Sequence, residues 1–245
     1  MIGSIVAPLF SQEAFTPPRL PGLTLWLDAS GLSGSDGDPV TTWTDLSGQG
    51  NHATQSTTAA KPTFKTNIVN GRAAVLFDGV DDSLDVPANV EALLQTSTKS
   101  VFVAVKWVTL VNSARLLTLA TSGTPAARFS MLIVSGFDYY VIYTDGAAQQ
   151  AITLTGVDPS ISAAQLFDVI QNGTAITGYV NGVSGGSANN AGTEVPNAFG
   201  AIGSNQGGSG FANAYICEIV AYNTALSAAD AARVRNYLTA KWSIS

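Results

Sequence analysis

Short runs rich in Val, Ile, Leu, Phe, Tyr and Thr recur along this chain roughly every ten residues, each closed by Gly, Asn, Asp or Ser. Branched and aromatic side chains suit a pleated, half-buried surface. Strands are therefore expected at 23–28, 40–43, 73–77, 100–111, 115–120, 128–134, 139–144, 152–155, 166–171, 176–180, 199–202 and 215–222. Asn70-Gly71, Asp78-Gly79 and Asn181-Gly182 supply the positive backbone angles that tight reversals need. So many short strands with so little helix point to an all-β sandwich of two packed antiparallel sheets.

One helix is clear, at the end of the chain. Ser227 places a capping hydroxyl three residues before Asp230, and Leu226, Ala231, Val234 and Leu238 follow at helical spacing. Tyr237 and Trp242 add anchors, while Arg233, Arg235 and Lys241 are expected to face water. A short helical turn is also expected at 90–94.

Two loops carry concentrated polar chemistry. In 45–53, Asp45, Ser47, Asn51 and His52 stand among glycines, so their side chains are expected to bond their own backbone, with His52 fastening the loop to a neighbouring strand. In 78–85, Asp78, Asp81, Asp82 and Asp85 crowd one turn, and such carboxylates need a cation, backbone N–H donors or open water. Asp78, Asp81 and Asp82 offer hard oxygen ligands for calcium. The alternative is that Asp78 and Asp81 cap the turn while Asp82 pairs with Arg72, so that no cofactor is needed.

The chain has 245 residues, 11 Lys plus Arg against 17 Asp plus Glu and a net charge of −6, with its cations scattered singly. No basic stripe exists to neutralise phosphates, so nucleic acid is not an expected partner. Cys217 is the single cysteine, and it lies in an apolar strand pattern that suits a small buried residue. With Arg19 as the first cation, no basic leader precedes the apolar start, so no secretory signal is expected. No run reaches the ~18 apolar residues of a membrane span. Synthesis in the cytoplasm, without membrane partners, is the corresponding expectation.

Residues 1–21 differ from the rest. Ile5, Val6, Leu9 and Phe10 precede Thr16-Pro17-Pro18-Arg19-Leu20-Pro21, which prolines keep extended. The division is thus an arm, 1–21, and one domain, 22–245. The arm is expected to stand away from the domain and bury its apolar side chains against copies of the chain or a partner. For sugar recognition, an exposed aromatic face beside amides is required, and Tyr139, Tyr140, Asn205 and Gln206 have that chemistry. For a catalytic triad built on His52, the single histidine, no Gly-x-Ser-x-Gly elbow precedes a helix, and one His with one distant Cys makes no zinc site.

Four blocks, 25–30, 43–55, 70–82 and 218–242, occur in an order that resembles the concanavalin A-like lectin/glucanase superfamily, in its laminin-G-like bacterial and phage form. The resemblance spans 23–242 and implies a jelly roll. It also implies calcium in some relatives, and in glucanases a Glu-x-Asp-x-x-Glu pattern. The four glutamates here, Glu13, Glu91, Glu194 and Glu218, do not have that spacing, so no catalysis is expected. Relatives that stand alone behind a short apolar arm look like phage virion proteins. That implies a decoration or structural subunit on the virion, attached through its arm to a capsid or tail protein. The alternative is an adhesin that binds host cell-surface glycans.

Overall fold

A strand apolar on both faces must be covered on both faces, and the computed structural model shows how. It describes residues 14–88, 90, 97–120, 128–134, 138–144, 149–189, 199–205 and 208–245. One sheet contains β1 (Leu23–Asp28), β4 (Thr63–Val69), β5 (Arg72–Asp78), β7 (Thr98–Thr109), β12 (Gln165–Asn172), β13 (Ala175–Val180), β14 (Val183–Asn189) and β16 (Asn213–Tyr222). The other contains β2 (Thr42–Trp43), β3 (Ala53–Thr54), β6 (Leu84–Val86), β8 (Arg115–Ala120), β9 (Arg128–Ile133), β10 (Tyr139–Thr144), β11 (Gln149–Leu154) and β15 (Phe199–Ile202). The first runs β14-β13-β12-β7-β16-β5-β4 with β1 beside β16, the second β11-β10-β9-β8-β15-β6-β3-β2. All pairings among them are antiparallel.

β7 shows why its sequence reads as one apolar run. Val101, Val103, Val105 and Trp107 enter the core between the sheets, whereas Phe102 and Ala104 enter a second core on the opposite face. The C-terminal helix, Ala228–Trp242, closes that second core with Ala231, Val234, Leu238 and Trp242. Ser227 Oγ accepts from the Asp230 N–H at 3.1 Å, and Ser243 in the left-handed region ends the helix.

Two charges of this helix depart from expectation. Arg235 and Lys241 do not face water. Arg235 binds both oxygens of fully buried Asp168, at 2.6 to 3.2 Å, and stacks 4.1 Å over Tyr179. Burial still pushes the Asp168 carboxyl up to about 6, against the pull of Arg235. Lys241 Nζ lies 2.6 Å from Asp28 and 2.8 Å from Glu218. Glu218 itself is fully buried and also accepts from Trp26 Nε1 at 2.7 Å, Trp242 Nε1 at 2.7 Å and Tyr237 OH at 2.9 Å. A register shift in β16 between Ile216 and Glu218 turns Cys217 and Glu218 in succession toward the helix.

The boundary of the arm also needs correction. Residues 14–21 belong to the domain: Pro17 and Leu20 are buried, Tyr222 OH donates to the Pro17 carbonyl at 3.1 Å, and Phe15 meets Tyr237 edge to face. The two prolines form a 3-10 turn rather than an extended spacer. Ile5, Val6, Leu9 and Phe10 lie outside the described residues, as do residues 91–94 of the expected turn after Val90.

The 45–52 loop bonds its own backbone as expected, but His52 is exposed and bonds within the loop, and it is Asp45 and Asn51 that tie the loop to β1. Asp45 accepts from the N–H groups of Trp26, Ser47 and Asn51 at 2.9 Å each, and His52 Nδ1 accepts from the Asp45 N–H at 3.0 Å. Asn51 Nδ2 reaches the Thr24 carbonyl at 2.7 Å.

Removing a partner from a buried charge leaves the remainder uncompensated, so Glu218→Ala is expected to lower unfolding stability by ~3–5 kcal/mol. Urea denaturation of this variant beside Arg233→Ala, an exposed helix position, measures it. A Glu218→Ala midpoint no lower than that of Arg233→Ala would show that the carboxylate does not hold the helix.

Candidate functional site

The 78–85 loop and the 203–212 loop form the two walls of a cleft of about 580 Å³. Its lining is Asp81, Ser83 and Asp85 from one wall, Ser204, Asn205, Gly208 and Phe211 from the other, and Ala60, Gly200 and Ala201 at the floor and rim. Backbone constraints set both walls. Gly79 has φ +81°, and a Cβ there would lie 2.9 Å from the Asn213 Cβ. Gly203 has φ +82°, and a Cβ there would lie 2.1 Å from the Phe77 ring. Both loops therefore need glycine where they leave the sheets.

The first wall is tied down by its own polar groups. Asp78 Oδ1 accepts from the Val80 N–H at 2.8 Å and, at a long 3.4 Å, from Asp81 N–H. Asp82 Oδ2 accepts from the Asp78 N–H at 2.9 Å. Gln55 Nε2 donates to the Ser83 carbonyl at 3.0 Å, and the Ser83 N–H donates to the Ala60 carbonyl at 3.1 Å. In the second wall, Asn205 N–H donates to the Ser209 carbonyl at 2.7 Å, and Ala212 N–H to the Gly203 carbonyl at 2.8 Å. Asp85 stands outward on β6 between inward Leu84 and Val86, with Ala201 and Thr54 as its cross-strand neighbours.

The acidic residues singled out in sequence do converge. One carboxylate oxygen from each of Asp78, Asp81 and Asp82 lies within 4.8 Å of the others. Asp82 does not pair with Arg72, contrary to expectation. Its partner is the Asp78 backbone, while Arg72 Nε donates to the Lys241 carbonyl at 3.1 Å on the other side of the molecule's first sheet. Burial pushes the Asp82 carboxyl up to about 6, helped by the charges of Asp78 and Asp81 and opposed by the Asp78 N–H.

The aromatic part of the expected sugar site is rearranged. Tyr139 is wholly buried in the core, where its OH accepts from Trp107 Nε1 at 2.9 Å and donates to Gln165 Oε1 at 3.0 Å, so it cannot meet a sugar. Tyr140 takes the opposite strand face and is half-buried, but it does not line the cleft. Asn205 does line it, and Gln206 lies outside the described residues. The aromatic that the cleft has is Phe211, which the sequence reading passed over along with Ser83 and Ser204. Its signal is modest: a Phe closing a loop of Asn, Gln, Gly and Ser.

A family model described as the concanavalin A-like lectin/glucanases superfamily matches residues 78–232, more than half of the chain. No curated protein sequence matches it. Among solved structures, domain 4 of an extracellular arabinanase from Geobacillus stearothermophilus, in complex with arabinotriose, superposes with a TM-score of 0.63 at 16% identity, covering 90% of this chain and 98% of that one. A sialidase from Trypanosoma rangeli gives 0.62 at 15% identity over 91% of this chain, which spans only 33% of the sialidase. The CBM40 domain of a Ruminococcus gnavus sialidase, bound to α2,3-sialyllactose, gives 0.51 at 15% over 60% of this chain and 85% of that one.

The raised carboxyl of Asp82 makes stability depend on pH. Its folded value, about 6, lies above the ordinary 3.8, so between those values the folded state binds more protons and stability falls as pH rises. A displacement of that size is worth on the order of 1–3 kcal/mol. Asp82→Asn, which keeps an oxygen for the Asp78 N–H, should melt higher than wild type at pH 7.5 and lose part of the fall between pH 4 and 7. Parallel melting curves for the two proteins across that range would show that Asp82 is not strained.

Proposed function

The chain belongs to the concanavalin A-like lectin/glucanases superfamily, and from that premise we propose that it is a non-catalytic glycan-binding module. The observation that carries the reading is the cleft itself: one aromatic ring, Phe211, beside the amide of Asn205, the hydroxyls of Ser83 and Ser204, and the carboxylates of Asp81 and Asp85. Sugars present apolar C–H patches rimmed by hydroxyls, and this mixture of one apolar face with several convergent polar groups complements them. The arabinanase domain and the CBM40 domain, whose complexes contain arabinotriose and sialyllactose, share this architecture and support the reading.

The placement of the acids supports binding without bond cleavage. Most glycoside hydrolases use one carboxyl held protonated at the scissile bond and a second across it. Of the carboxyls that burial raises, Asp82 is outside the cleft lining and engaged with backbone, and Asp168 and Glu218 are buried against Arg235 and Lys241 of the C-terminal helix. Calcium is not required in this reading either. Asp78, Asp81 and Asp82 have the oxygen chemistry for it, but Asp78 and Asp82 already accept backbone N–H groups that hold the turn. Neither the comparisons nor the described residues support a capsid or tail partner.

Calorimetry or array binding with plant and host-surface polysaccharides should reveal a ligand. Phe211→Ala and Asn205→Ala should each weaken binding by about ten-fold or more while Tyr140→Ala leaves it unchanged. Loss of binding in Tyr140→Ala alone would move the site to the outer face of β10. Chelation should leave the melting transition where it is, and a rise of ten degrees or so with added calcium would show a linked metal site instead.

A further inference from the structure

Among the described residues that line it, the cleft has charge of one sign. Of those ten, Asp81 and Asp85 are ionisable and none is Lys, Arg or His. Asp78 and Asp82 place two more carboxylates directly behind Asp81. Ala201 and Thr54, the neighbours of Asp85 across the sheet, bring it no counter-charge. Arg115 comes close to the same loop, its Nε 3.2 Å from where a Cβ on Gly210 would sit, but it is 8% exposed and does not line the cleft. Cations gather elsewhere: Arg72, Arg233 and Lys241 line a separate hollow against the C-terminal helix.

Resting on the glycan-binding reading above, we propose that this cleft selects uncharged glycans and rejects carboxylated ones, with Asp81 and Asp85 as the specificity-determining residues. An ionised carboxylate accepts hydrogen bonds and donates none, so it pairs with sugar hydroxyls, which donate. A sugar carboxylate also only accepts. In this cleft it would meet two like charges and no cationic donor, and rejection of this kind discriminates between sugars that share the same hydroxyl pattern. Ser83, Ser204 and Asn205 can donate to a neutral sugar's oxygens, and Phe211 covers a C–H face whichever sugar is bound. Because the cleft is open to water, each carboxylate should contribute on the order of five-fold discrimination at low salt, less as salt is added.

The test is an array of matched glycan pairs, such as lactose and α2,3-sialyllactose, or neutral and uronic oligosaccharides, probed with the full chain in chelator at low and high salt. Neutral members should bind at least about ten-fold more tightly than their acidic partners at low salt, and that ratio should shrink at high salt. In Asp81→Asn/Asp85→Asn the ratio should fall at least about five-fold, a change that loss of folding alone would not produce because it weakens both members alike. Equal or tighter binding of acidic members by wild type, or an unchanged ratio in the double variant, overturns the charge selection while leaving glycan binding in place. Absence of any glycan binding overturns the glycan-binding reading and this inference with it, and binding indifferent to Phe211→Ala overturns the cleft as its site and this inference with it.

Discussion

The carboxylate of Glu218 is the point on which the rest of the structure hangs. Taking such a charge out of water is costly, and it is tolerated only where a cation and a full set of donors meet it. Here Lys241, Trp26, Tyr237 and Trp242 all do. Burial and the neighbouring charge of Asp28 raise the carboxyl, and Lys241 pulls it back. Trp26 comes from β1 and the others from the C-terminal helix, so one side chain on β16 fixes the first strand and the last element against the same sheet. The bulge beside it makes this geometry available, because a regular strand would have turned Glu218 into the apolar core between the sheets.

Positions at the far end of the molecule follow from that anchor. β16 pairs with β1 along its second half and with β5 along its first, where Asn213 faces Asp78. The 78–85 loop starts from Asp78, so its place is fixed by the same strand that carries Glu218. Phe77, one residue earlier, presses against Gly203 and sets the start of the opposite loop. Both cleft walls thus grow from β5 and its contacts, and internal hydrogen bonds tie their described residues together. A site held in this way loses little freedom on binding, which favours recognition of weakly binding molecules such as sugars.

Much of this was legible in the sequence because it depends on local pattern. The strand runs at 115–120, 139–144 and 199–202 match β8, β10 and β15 end for end. The Ser227 cap and the self-bonded Asp45 loop also follow from short-range chemistry. What escaped was set by distant neighbours. β4 is interrupted by polar residues and by Asn67 in the left-handed region, and β14 by two glycines, so neither run has a strand's composition. Gly185 and Gly186 are small because Leu154 and the Thr153 carbonyl lie against them, a contact that spacing cannot reveal. Sequence alone turns Arg235 and Lys241 toward water because their carboxylates, Asp168 and Asp28, are remote in sequence. It offers Tyr139 to a sugar for the same reason, its partners Trp107 and Gln165 being remote too.

At about 15% identity, what this chain shares with its structural neighbours is the architecture, and architecture leaves the ligand open. In the proposed reading, the distribution of charge narrows it. In a chain with 11 Lys plus Arg, three of the described cations serve the first sheet and its helix: Arg235 holds Asp168, Lys241 holds Asp28 and Glu218, and Lys65 meets Asp36. The Arg235 and Lys241 ties close the second core, and the Lys65 pair lies on the surface. None of these cations is among the residues lining the cleft, which retains Asp81 and Asp85 without an opposing charge. The device that fastens the helix to the sandwich therefore also leaves the cleft acidic, so that one allocation of a few basic residues shapes both the stability of the fold and the character of the surface it presents.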